Sequence, residues 1–231
     1  MNPDQKMIIL QCWDDGVTDD TRLTELLKSK GAKASFNLNL GLNLKERSYS
    51  FCYKEKKDVY RLARSELLQT YEGFTIANHC YEHPWALKIS HEEWEQQVID
   101  GRKALQDLFQ QPILGFAYPY GQSDKRTAEV VAKAGHTYAR SCENATPCTP
   151  TPNAFSQATD CHFHAPDFWE RYQKAKETGS RVFYFWGHSY EFLSEEHWSS
   201  FSKTLDRINN DPETVWGDLP ESLALANKVQ S

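Results

Sequence analysis

Short apolar runs alternate along the chain with segments whose apolar residues recur every third or fourth position, the pattern of βα units laid around a parallel sheet. The runs that read as strands are 7–13, 32–38, 73–77, 113–118, 136–140, 181–187 and 213–216, among them Met7-Ile8-Ile9-Leu10 and Val182-Phe183-Tyr184-Phe185-Trp186. Seven such strands predict an α/β fold of the barrel type. The segments between them carry helix punctuation. Thr18 to Lys30 sets Leu23, Leu26 and Leu27 on one face and stops at Gly31, a residue suited to a helix C-terminus. Ser90-His91-Glu92-Glu93 is a capping box opening a long helix with Trp94, Val98, Leu105 and Leu108 inward. Asp218-Leu219-Pro220-Glu221 opens the last helix, since proline is tolerated in a first turn.

Residues 40–57 and 141–165 fit neither period and read as long loops, which in a compact domain are usually functional or mobile. With 231 residues and no internal repeat or low-complexity tract, a single domain spanning 1–231 is expected.

Composition narrows the partners. A formal net charge of −6 with Lys and Arg scattered offers no stripe for a phosphate backbone, which argues against nucleic acid. No apolar stretch reaches the roughly 18 residues of a membrane span. Met1-Asn2-Pro3-Asp4-Gln5-Lys6 leads straight into the first strand without a signal-like apolar region, so a soluble, cytoplasmic protein without a membrane partner is expected. The six cysteines (Cys12, Cys52, Cys80, Cys142, Cys148, Cys161) lack the density and spacing of a disulfide framework and read as reduced thiols. Cys142, Cys148, Cys161, His162 and His164 share a Thr/Pro-rich stretch and are ligand types for a second metal, although no C-x-x-C spacing supports one. Most aromatic residues belong in the core, while Trp13, Tyr120, Trp169 and Trp186 stand beside the chemical motifs and could offer flat faces to a sugar ring.

The chemistry concentrates in two motifs. Cys12-Trp13-Asp14-Asp15-Gly16 follows the first strand and His79-Cys80-Tyr81-Glu82-His83 follows the third. A lone Asp-Asp-Gly is more often a turn, and an isolated histidine pair is more often structural. At strand ends, the active edge of alternating β/α folds, they instead supply one carboxylate and two imidazoles for a divalent metal, with a second carboxylate left as a base. That ligand set leaves room for water, as hydrolysis requires.

Two further motifs complete a series. With Tyr118-Pro119-Tyr120-Gly121 after the fourth strand and Trp186-Gly187-His188 at a late strand end, the chain resembles the polysaccharide deacetylase family, also called carbohydrate esterase family 4 or the NodB homology domain. The matching motifs run in the family's order from about residue 7 to 190. The resemblance implies a distorted, incomplete (β/α)7 barrel that removes acetyl groups from N-acetylated sugars or oligosaccharides. It implies Asp14 as general base and Asp15, His79 and His83 as metal ligands. It also implies the Tyr120 backbone N–H as an oxyanion donor and His188 as general acid. Amide hydrolysis asks for the same parts, namely an activated water, charge stabilisation on the oxyanion and a proton for the departing nitrogen. Zinc is the expected ion by ligand type, and cobalt, nickel or iron suits the same donors.

Two departures from the family pattern stand out. Relatives carry an arginine two residues before the motif proline, where it pairs with the catalytic aspartate, and here that position is Ala117. Arg140, at the end of the following strand, is expected to take its place, because a base without a nearby cation is less firmly oriented and less acidic. The Asp-Trp pair that supports the catalytic histidine is not recognisable either, leaving Glu191, Asp160 or Asp167 for that task.

Other readings compete. His79 to His83 also spells H-x-x-E-H, the inverted signature of some metalloproteases, which needs both histidines on one helix. Pro84 and the strand Phe74-Thr75-Ile76-Ala77 leave little room for that helix. Ala117 is compatible with a non-catalytic sugar-binding relative, although such a protein has little reason to retain Asp14, His188 and three ligands. A third reading keeps the reaction centre and changes the bond, to another non-peptide C–N amide or an O-acetyl ester.

Overall fold

The computed structural model describes residues 6–145 and 153–222. In chain order the elements are β1 (Met7–Asp14), α1 (Asp20–Ser29), β2 (Ser35–Leu38), β3 (Ser48–Tyr53), β4 (Lys57–Arg61), α2 (Leu67–Thr70), β5 (Thr75–Asn78), α3 (His91–Phe109), β6 (Gly115–Ala117) and α4 (Lys125–Lys133). They continue with β7 (Tyr138–Asn144), β8 (Gln157–Thr159), β9 (Cys161–His162), α5 (Phe168–Glu177), β10 (Val182–Gly187), α6 (Glu195–Asn209) and β11 (Thr214–Trp216).

One sheet runs β8-β7-β6-β5-β2-β1-β10-β9, with β11 beside the start of β1, and every pairing within it is parallel. Its two edge strands are consecutive in sequence and separated only by Asp160. The Asp160 N–H donates to the Tyr184 carbonyl at 2.7 Å, and its Oδ2 accepts the Tyr184 N–H at 2.8 Å. A side-chain oxygen thus supplies the acceptor that a regular ladder would take from backbone, and the sheet curls into a distorted β/α barrel.

Strand alternation sets what faces where. On β1, Ile9 and Trp13 pack outward among Leu23, Leu27, Phe168, Phe183, Phe185, Phe201 and Leu205. Leu10 and Cys12 pack inward with Tyr138, Val182, Tyr184 and Leu219. Asp14 shares the parity of Leu10 and Cys12, so the alternation that builds the core also carries this carboxylate into the barrel mouth.

The box at α3 is formed as its sequence predicts. Ser90 Oγ accepts the Glu93 N–H at 3.1 Å and Glu93 Oε2 accepts the Ser90 N–H at 2.9 Å. Ser90→Ala is expected to cost about 1 kcal/mol in urea unfolding, with the slope unchanged. The inner face of α3 is Trp94, Val98, Gly101 and Leu105, with Leu108 only partly buried. A Cβ at Gly101 would stand 2.8 Å from the Cys80 carbonyl carbon, so the glycine lets α3 press against the loop that carries His79.

Residues 40–57 are not one loop. They hold a helical turn at Leu40–Leu42 and most of an antiparallel β3–β4 hairpin. Its turn uses Lys54 and Glu55 at φ 50° and 56°, left-handed positions usually given to Gly or Asn, so the sequence carries no turn signal there. The stretch 141–165 likewise contains the end of β7 together with β8 and β9. Those two strands are too short to show a period.

Candidate active site

Asp14 is buried at the end of β1, bound from two neighbouring elements. Asn37, its partner in register on β2, donates from Nδ2 to Oδ1 at 2.6 Å. Arg140 Nη2 lies 2.5 and 2.6 Å from the two oxygens, one nitrogen straddling the carboxylate rather than a two-nitrogen fork. Arg140 sits directly beside Ala117 across the β6–β7 ladder, so the guanidinium arrives one strand over from where relatives keep it. Burial alone would raise the Asp14 carboxyl. Arg140, with His79 and His188, more than offsets that and holds it well below the usual carboxylate range.

Asp15 turns the chain with φ 92°. Its N–H donates to the Asn37 carbonyl at 3.0 Å and its own carbonyl accepts from Arg61 Nη1. Arg61, on β4 and nearly fully buried, also stands 3.6 Å from Asp15 Oδ1. Against burial, Arg61 and the neighbouring histidines keep this carboxyl low.

His79 follows β5, and its Nδ1 meets the Ala117 carbonyl at 2.7 Å. A carbonyl can only accept, so the proton sits on Nδ1 and the Nε2 lone pair is free. His83, at φ 59°, presents Nε2 at 3.7 Å from Asp15 Oδ1. Burial pushes the His79 imidazole down to about 4, and His83 in the same direction.

Donor atoms of Asp15, His79 and His83 lie within 4.8 Å of one another. Asp15 Oδ1 is buried without a hydrogen-bond partner. Neutral imidazoles, an ionised carboxylate and an orphaned oxygen together fit a divalent cation.

His188 closes the site from the end of β10. Its Nε2 stands 4.0 Å from Asp14 Oδ2 and 3.8 Å from Asp15 Oδ2. Of the three acids considered for its support, Glu191 reaches it: Oε2 accepts the His188 backbone N–H at 3.0 Å and stands 3.3 Å from Nδ1, which has no hydrogen-bond partner. Asp160 is spent on closing the barrel, and Asp167 pairs with Arg171 at 2.8 Å. Burial would lower the His188 imidazole, but Glu191, Asp15 and Asp14 outweigh it and hold it above its ordinary value.

Of the four aromatic residues singled out from the sequence, two lie away from the site and two border it. Trp13 is fully buried on the outer side of the sheet, opposite in parity to Asp14. Trp169 lies under Arg207 of α6, 3.7 Å from its guanidinium carbon, and does not approach the site. Trp186 stands between Arg140 and His188. Tyr120, 46 % exposed, borders the site with its ring 4.5 Å from that of His83 and stacked 3.7 Å from Trp85.

The Cys/His grouping is not assembled among the described residues. Cys161 is in the core, Cys142 lies against Arg140, and His162 bonds Glu191; Cys148 lies outside the described residues. Cys80 and His83 take left-handed backbone angles, so H-x-x-E-H is not a helix, and Glu82 points to Gln97 on α3. The protease geometry is therefore absent. Asn37 and Arg61 escaped the sequence reading. Asn37 becomes visible only through strand register, and Arg61 lies just past a stretch that read as loop.

Carboxylates and imidazoles thus gather at the mouth of a parallel β/α barrel. The family model described as polysaccharide deacetylase matches residues 1–139, and the chain belongs to that family, carbohydrate esterase family 4. None of the curated proteins matches it. Among solved structures it is similar to the Xyl-CE4 domain of a multidomain xylanase from the hindgut metagenome of Trinervitermes trinervoides, at 14 % identity and TM-score 0.62 over 96 % of this chain and 91 % of that one. It is similar to the Streptococcus pyogenes deacetylase PplD in complex with acetate, at 18 % identity and TM-score 0.55 over 64 % of this chain and 62 % of that one. It is also similar to wild-type BA3943, a CE4 family pseudoenzyme from Bacillus anthracis, at 15 % identity and TM-score 0.59 over 96 % and 66 %. At such identities the likeness shows the fold, and the chain spans less than two thirds of the S. pyogenes protein. No helix among the described residues is long and apolar enough to cross a membrane.

Proposed function

We propose that the protein is a metal-dependent deacetylase of an N-acetylated sugar or oligosaccharide. The observation that carries this reading is Asp14, clamped by Arg140 and Asn37, facing His188 across the Asp15–His79–His83 group. A divalent cation on those three ligands, zinc by ligand type, would polarise the acetyl carbonyl and acidify a water. Asp14, ionised at neutral pH, accepts the proton of the attacking water. Arg140 and Asn37 hold its carboxylate in place and leave its outward lone pairs for that task. The Tyr120 N–H donates to the carbonyl oxygen as it gains charge, a contribution of about 3–4 kcal/mol for a well-placed donor. His188, biased toward its protonated form by its three carboxylate neighbours, delivers a proton to the amine nitrogen as the C–N bond breaks. Acetate and the free amino sugar leave.

Acetate release compared across N-acetylated oligosaccharides, O-acetylated sugars and acetylated peptides tests the reading. Preference for the N-acetyl sugars is expected, and turnover confined to esters or peptides would contradict it. Glu82→Gln should leave activity largely intact, since that side chain faces α3; a loss as severe as that of Asp14→Asn would revive the protease reading.

A further inference from the structure

The β3–β4 hairpin, inserted between β2 and β5, touches both halves of the site. Arg61 at one end holds Asp15, and Tyr53 at the other donates its hydroxyl to Glu191 Oε1 at 3.2 Å. Phe51 and Tyr53 pack edge-on to the Tyr190 ring at 5.2 and 5.1 Å, and Tyr190 in turn stacks on the His188 imidazole at 4.8 Å. Lys57 pins the hairpin by donating to the Phe192 carbonyl at 3.1 Å and pairing with Asp19.

From the opposite side, His162 of β9 reaches the same carboxylate, its Nε2 2.7 Å from Glu191 Oε2. The His164 N–H points at His162 Nδ1 at 3.2 Å. Nδ1 is therefore the acceptor and Nε2 carries the proton, so His162 donates to Glu191. His162, His188 and Glu191 have ligand atoms within 4.8 Å of one another, but in this tautomer His162 Nε2 carries a proton and offers no lone pair to a cation; it and the His188 backbone N–H both donate to Glu191 Oε2.

We propose that His162 and the β3–β4 hairpin are positioning elements for His188, acting through Glu191 and Tyr190. The inference rests on the deacetylase reading, in which His188 protonates the leaving amine. A glutamate three residues after the histidine, on the same turn, would swing freely if unsupported. With Tyr53 on one oxygen, and His162 and the His188 backbone N–H on the other, the carboxylate is fixed 3.3 Å from His188 Nδ1, close enough for charge attraction though not hydrogen-bonded to it, and Tyr190 holds the imidazole by its face.

The test compares two substrates on the metal-loaded protein: an N-acetylated oligosaccharide, whose amine leaves only if protonated, and p-nitrophenyl acetate, whose phenolate leaves unaided. His162→Phe should lower kcat on the amide by roughly 10- to 100-fold with little change in KM, and leave ester turnover nearly unchanged. His162→Gln, which still offers an N–H to Glu191, should recover most of that loss. Tyr53→Phe should show the same amide-selective pattern in weaker form, and serves should His162→Phe fail to fold. Equal losses on both substrates, or an undiminished amide rate in both His162→Phe and Tyr53→Phe, would overturn the inference while the wild-type deacetylase stands. A wild type that releases no acetate from the amide would overturn the deacetylase reading and this inference with it.

Discussion

Arg140→Ala is expected to destabilise the protein by about 3–5 kcal/mol and to abolish amide hydrolysis, because it strands Asp14 in a buried site with its countercharge removed. Asn37 is a neutral donor and does not replace that charge. Burial, which now opposes Arg140, would then dominate, and the Asp14 carboxyl would rise until it is protonated over part of the working range. A carboxyl depressed in the folded state contributes stability above its unfolded value, 3.8 here, and that contribution fades as pH falls from there toward the folded value. The wild type should therefore lose stability on acidification below about pH 4, whereas Arg140→Ala, having already lost this contribution, should show a flatter profile there. Parallel profiles from urea unfolding at stepped pH would show that Arg140 does not set the Asp14 charge. Arg140→Lys should fall between, since an ammonium keeps the charge but has no second nitrogen to take the place of Nη1 against Cys142.

Removing the cation, or its carboxylate ligand, should have an effect of similar size. Zinc at 100 times its dissociation constant should stabilise the protein by about 2.7 kcal/mol, read as a rise in Tm that chelator reverses. Asp15→Ala should abolish both the shift and amide turnover. The proton competition is also specific. An ordinary imidazole begins to protonate near 6.5, but burial holds His79 down to about 4 and His83 below its usual value. Zinc affinity measured by calorimetry should therefore persist below pH 6.5 and be lost by about pH 4, where His79 charges. Failure already at 6.5 would mean that the imidazoles are not held neutral by the fold.

Much of this centre is legible in the sequence because strand ends are. An apolar run that stops at Asp14-Asp15-Gly16, and another that stops at Gly187-His188, announce where side chains meet at a barrel mouth. Arg140 could be anticipated because Ala117 leaves a gap and the strand read over 136–140 ends on a cation. What stays hidden depends on pairing or on turns. Trp13 adjoins Asp14 in sequence, yet a period of two sends it to the opposite side of the sheet. Asn37 matters only because β2 and β1 align it with Asp14. The hairpin that brings Arg61 and Tyr53 into the site turns on Lys54-Glu55, where no glycine or asparagine marks the bend. Strands as short as β8 and β9 offer no repeat to recognise, although they close the barrel and place His162.

The most direct measurement is acetate release from N-acetylated oligosaccharides by metal-loaded, chelated and reloaded protein, with Asp14→Asn in parallel. Release by the loaded protein, loss on chelation, recovery on reloading and near-absence in Asp14→Asn are the expected results. Loaded wild type that releases no acetate, or release that survives both chelation and loss of the Asp14 carboxylate, would contradict a metal-dependent deacetylase centred on this site.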